Sequence, residues 1–119
     1  MKGTLTIIQP DGTVTSETLD QTTTENSLYQ KLKTGLNDGY LELVPLFSKY
    51  EGEKCVVFCD EDGRGKGLVP NTRATALWHA GIRGGGREPS DTLTTLDVIV
   101  GLVGPIVIVR GDRELFDIL

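Results

Sequence analysis

Apolar residues along this chain recur with two different periods. "GTLTIIQ" and "TVTSETL" are rich in β-branched residues and flank Asp11-Gly12, which predicts a β-hairpin. The period then lengthens. Leu28, Tyr29, Leu32 and Leu36 follow one another at helical spacing, Thr22 and Glu25 are spaced as a capping box, and Gly35 offers a C-cap. This predicts a helix over 23–34. "GYLELVPLF" predicts a strand with Tyr40, Leu43 or Val44, and Leu46 turned inward, and Pro45 puts it at an edge or a bulge. "KCVVFCD" predicts a second short strand, because its apolar run is β-branched and aromatic.

Asn71 suits the N-cap of a helix over "TRATALWHA" that stops at Gly81 and docks through Ala74, Leu77 and Trp78. From Ile82 to Thr95 the pattern lapses into loop, with Gly84, Gly85 and Gly86 expected to be mobile. "LDVIVG" and "PIVIVRG" predict two more strands, joined by a turn or bulge at "GLVG", and "DRELFDIL" a last helical turn. The order is hairpin, helix, strand, strand, helix, strand, strand. It predicts an α+β fold: a curved, mostly antiparallel sheet of about six short strands with two helices packed on it.

Composition adds bounds. The 119 residues are expected to form a single domain, 1–119, and a chain of this size buries about two-thirds of its surface on folding. Aromatic residues are only 6% of the chain, so the core must come from Val, Leu and Ile. No apolar run reaches the roughly 20 residues that a membrane-crossing helix needs. The start of the chain shows no basic-plus-hydrophobic leader, so a cytoplasmic setting is expected. Cys55 and Cys59 lie four apart in one expected strand, about 13 Å from each other, too far for a disulfide. They read as free thiols.

Charge changes the picture most. The net charge is −5, yet Arg64, Lys66, Arg73, Arg83 and Arg87 lie in a stretch without any Asp or Glu. That segment carries +5, and the rest of the chain −10. Within it, "DEDGRGKGLVPNTRATALW" combines an acidic turn, basic residues on glycines, and a helix start. The first amides of a helix lack intrahelical partners and favour an anion. Arg64, Lys66, Asn71, Thr72, Arg73, Arg83 and Arg87 are therefore candidate ligands for a phosphate, with Arg73, Arg83 and Arg87 expected to converge near the N-terminus of the second helix. The alternative is a capped helix after an acidic turn, with solvated arginines that pair with nearby acids such as Asp60, Glu61 and Asp62. The glycine spacing matches neither a P-loop nor a dinucleotide fingerprint. Asp60 and Asp62 begin like a calcium loop, but Arg64 and Asn71 stand where oxygen ligands belong. No metal or cofactor is expected.

His79 is the only histidine, and no nucleophile motif surrounds Ser27, Ser48, Ser90 or either cysteine. That points away from an enzyme. The acidic balance and few aromatics argue against general nucleic-acid binding.

Three stretches together resemble a family known as domain of unknown function 3846, carried by bacteriophages and mobile elements. They are "LYQKLKTGLNDGYLELVPL", "VVFCDEDGRGKGLVPNTRATAL" and "DVIVGLVGPIVIV". Two features depart from that pattern: Val69 between Leu68 and Pro70, and the long "RGGGREPSD" segment. The resemblance implies a phage or mobile-element accessory protein in a bacterial host cell, and brings no activity or catalytic residues with it. Two functional expectations result. One is capture of a phosphorylated small ligand such as a nucleotide by the basic segment; the other is a protein-interaction module that binds and modulates a host protein.

Overall fold

The Asp11-Gly12 turn forms as its chemistry requires. Gly12 takes φ +89°, the Asp11 carboxylate accepts the Thr13 amide at 2.8 Å, and the flanking segments pair as β1 (Gly3–Ile8) and β2 (Val14–Leu19). The structure, a computed structural model, describes all residues from Met1 to Leu119. After the hairpin come α1 (Glu25–Gly35), β3 (Leu41–Leu43), β4 (Lys49–Tyr50), β5 (Glu53–Lys54) and β6 (Val56–Asp60). The chain continues through α2 (Thr72–Gly84), α3 (Pro89–Thr92), α4 (Thr95–Ile99), β7 (Ile106–Gly111) and α5 (Arg113–Asp117). Five strands make one antiparallel sheet in the order β2-β1-β7-β6-β3, and β4 pairs with β5 in a separate ribbon. The fold is α+β, with helices packed on a mostly antiparallel sheet, as the pattern of elements predicts.

Alternation along the central strands divides the core between two faces. On one face Ile8, Val57, Ile106 and Ile108 pack under Ala74, Trp78 and Ile82 of α2. On the other, Leu5, Phe58, Val107 and Val109 pack against Leu28 and Leu32 of α1 and Leu115 of α5. Each fully buried aliphatic side chain of this kind contributes about 1.5–3 kcal/mol.

Several local expectations are corrected. The α1 cap is Thr24 with Ser27, not Thr22 with Glu25: Thr24 Oγ1 accepts the Ser27 amide at 3.1 Å, and Ser27 Oγ accepts the Thr24 amide at 2.9 Å. Thr22 instead bonds Asp20. Gly35 remains helical, and the left-handed positions after the helix fall on Asn37 and Asp38. Tyr29 is exposed, while Leu28, Leu32 and Leu36 are buried. In "GYLELVPLF" only three residues are strand, at the sheet edge as Pro45 implied. Tyr40, Leu43 and Leu46 are exposed; of the expected pair Leu43 or Val44 it is Val44 that is buried, and Phe47 is buried with it. The strand ends at Leu43, and Leu46 takes φ +61°, so alternation does not run through the whole stretch.

The largest correction concerns 82–100. α2 continues to Gly84, with Ile82 rather than Leu77 completing its buried stripe, and α3 lies within the expected loop. Gly84 is the last helical residue, and the Gly85 and Gly86 amides bond back to the helix's final carbonyls. "LDVIVG" is not a strand but helix α4. Thr94 Oγ1 accepts the Asp97 amide at 3.2 Å, and this cap outweighs the β-propensity of Val98 and Ile99.

Candidate functional site

The basic residues do not converge. Arg64 Nη2 donates to Asp97 Oδ1 and to the Gly101 carbonyl, both at 2.7 Å. Lys66 Nζ donates to Asp60 Oδ2 at 2.7 Å. Arg73, in the first turn of α2, reaches the Gly12 carbonyl at 3.2 Å. Arg83 pairs with Glu88 at 3.4 Å near the opposite end of α2, and Arg87 lies beyond that end. The ten residues from Arg73 to Arg83 span about 15 Å of helix. The expected convergence of Arg73, Arg83 and Arg87 is therefore corrected. The extended helix carries Arg83 and Arg87 away from the end where Thr72 and Arg73 sit.

Asn71 is buried and fully engaged. Its Oδ1 accepts the Ala74 amide at 3.1 Å, and its Nδ2 donates to the carbonyls of Ile8 at 2.8 Å and Gly104 at 2.9 Å. The residue caps α2 and stitches it to β1 and to the approach to β7. It has no group left for a ligand.

The glycine-rich turn instead closes one side of a cleft of about 170 Å³ between the β3–β6 edge, α2 and α4. Glu42 and Leu43 come from β3, Cys59 and Asp60 from β6, and Arg64 from the turn; Trp78 comes from α2 and Asp97 from α4. Glu42 and Cys59 are register partners, so both side chains stand on the same sheet face. Glu61 completes a set of four carboxylates against a single lining cation, Arg64. Sequence reasoning paired the basic segment with Asp60, Glu61 and Asp62, and Lys66 does reach Asp60. It missed Asp97, which lies 33 residues from Arg64. The Thr94-x-x-Asp97 spacing, which marks a helix start, was the available signal.

The electrostatics follow from these contacts. Burial works to raise the Asp60 carboxyl pKa, but the hydrogen bond and charge of Lys66 and the Asp62 amide outweigh it, and the pKa is lowered. Asp97 is similar: burial opposes ionisation, and Arg64 and Thr94 overcome it. Burial pushes the Cys59 thiol up to about 12, with Glu42 adding to the shift, and Cys55 up to about 11. Both thiols are thus held as neutral hydrophobic groups, not as thiolates. His79 Nε2 lies 3.1 Å from the Asp97 carbonyl and its ring packs against Trp78, so it fastens α4 to α2. No group of three or more His, Cys, Asp or Glu side chains is arranged to hold a metal ion. No helix is long and apolar enough to cross a membrane.

Leu43 lines the cleft and is 58% exposed. A shallow groove lined by Leu46, Leu77 and Gly81 shares Trp78 with the cleft, so apolar surface continues from one to the other. A scan of protein-family models and searches of curated proteins and of solved structures each gave no match, so the family resemblance rests on the three quoted stretches alone.

Proposed function

We propose that this chain is a protein-interaction module whose binding surface is the β3–α4 side of the molecule. One observation carries the reading: exposed Leu43 in the cleft and exposed Leu46 and Leu77 in the groove beside it lie around one shared residue, Trp78, instead of scattering. Isolated surface apolar residues are ordinary, whereas a cluster bounded by polar groups marks a contact surface. An edge strand beside the cluster adds unpaired backbone groups to it. On the family resemblance, the partner is a protein of the bacterial host.

Anion capture has less support. Arg64 and Lys66 are already paired with carboxylates, Asn71 is consumed, and the remaining arginines lie at different ends of α2. The cleft beside the basic turn is lined by acids, which repel a phosphate.

The test uses a photo-crosslinking amino acid placed at Leu77, with a control at the exposed Gln30 on α1. A discrete protein adduct from host extract at Leu77 and not at Gln30 is the expected outcome, and Leu46→Asp should abolish it. No adduct, or the same adduct at both positions, would sink the reading.

A further inference from the structure

We infer that the cleft between β3 and α4 docks an extended segment of a partner protein that inserts an arginine or lysine side chain beside Glu42 and Glu61. This inference rests on the interaction-module reading and adds the chemistry of the partner. The groove offers an extended segment two things. Strand β3 is hydrogen-bonded on one side only, to β6, so its outer edge can pair with another strand. Leu43 at the cleft, and Leu46 and Leu77 in the adjoining groove, offer apolar contacts.

Charge selects the occupant. Asp60 is paired with Lys66 and Asp97 with Arg64, but neither Glu42 nor Glu61 forms an ion pair with any cation of the chain. Covering this groove with a neutral or acidic segment would strip water from two unpaired carboxylates at a net cost. A cationic side chain offsets that cost directly. Arg64 already occupies Asp97 Oδ1 and the Gly101 carbonyl, both at 2.7 Å, so the open acceptors of the cleft are Glu42 and Glu61. An incoming guanidinium or ammonium would meet the free side of the same acidic wall at Glu42. At about 170 Å³ the cleft has room for one side chain, while sites for drug-sized ligands run to about 300–1,000 Å³. It is an anchor point for a longer segment and not an enclosed small-molecule site.

The probes are two capped heptapeptides of alternating leucine and threonine, identical except for a central arginine in one and the neutral isostere citrulline in the other. Trp78, the only tryptophan, lines the cleft and reports binding by fluorescence. Amide NMR shifts at Leu43 and Gly101 locate it. The arginine peptide is expected to bind about ten-fold more tightly than the citrulline peptide, with the difference shrinking in added salt. Glu42→Gln combined with Glu61→Gln should erase most of that difference, and because both side chains are exposed the fold should survive. Equal affinity for the two peptides would overturn the basic-partner assignment and leave the interaction surface standing. Absence of shifts at Leu43 and Gly101 with both peptides would overturn it too. Failure of the Leu77 crosslink, by contrast, removes the interaction reading itself.

Discussion

At the scale of single residues, Asn71 shows how far one polar side chain reaches. Asn71→Ala removes the α2 cap and strands two buried carbonyls, those of Ile8 and Gly104. We expect a loss of about 3 kcal/mol by urea denaturation, from a cap plus unsatisfied buried groups. The cap was legible in the sequence, because Asn before a helical run has a known job. The two long-range donations were not, since nothing local says which carbonyls lie 63 and 33 residues away. Asp60 and Asp97 give a pH dependence. Their folded pKa values lie below the ordinary 3.8, so their contribution is complete above that value and is lost as pH falls through the depressed folded values. Stability should therefore hold down to about pH 4 and decline below it, as read from urea midpoints across pH. Arg64→Met should raise the Asp97 pKa, since burial then meets less opposition, and NMR titration of that carboxyl checks the sign.

At the scale of elements, two glycines respond to alanine in opposite ways. Gly81 lies inside α2, and a methyl group there meets nothing within 4 Å. Gly81→Ala should stabilise by about 0.5–1 kcal/mol through the unfolded chain's lost freedom. Gly101 ends α4 at φ +76°, and a methyl group there would run into the Thr75 side chain. Gly101→Ala should cost at least about 1–2 kcal/mol, and it should displace the carbonyl that receives Arg64. Paired thermal melts of the two variants read both signs. Residues Thr95–Ile99 form a helix although the apolar pattern of this stretch predicts a strand. Val98 and Ile99 favour extended chain in isolation, but the Thr94 cap and the stop at Gly101 fit one helical turn between them. The hairpin, α1, α2 and β7 were legible because each repeats one period long enough to stand out. Three-residue β3 and five-residue α4 are too short for any period to register.

At the scale of the whole molecule, the first strand pairs with the last. β1 lies between β2 and β7, so the centre of the sheet joins the two ends of the chain. Pairing so distant in sequence slows folding, and we expect refolding in milliseconds to seconds by stopped-flow Trp78 fluorescence. Amides of β1 and β7 should be the last to exchange with deuterium, and those of β3 and α4 among the first. Uniform exchange across these elements would contradict a core built on the β1–β7 pair. Local pattern alone determined the α+β class, the hairpin, both long helices and the edge position of β3, because propensity, caps and period are carried by neighbouring residues. Which charges meet was decided only by the tertiary structure. The sequence gathers five cations into one segment, but folding spreads them over the two ends of α2 and pairs Arg64 with an acid from a distant helix. It also gathers Glu42, Asp60, Glu61 and Asp97 around one cleft, where only two of the four have a cation. A sequence records charge along the chain, whereas a site depends on charge in space, and the sheet order converts one into the other.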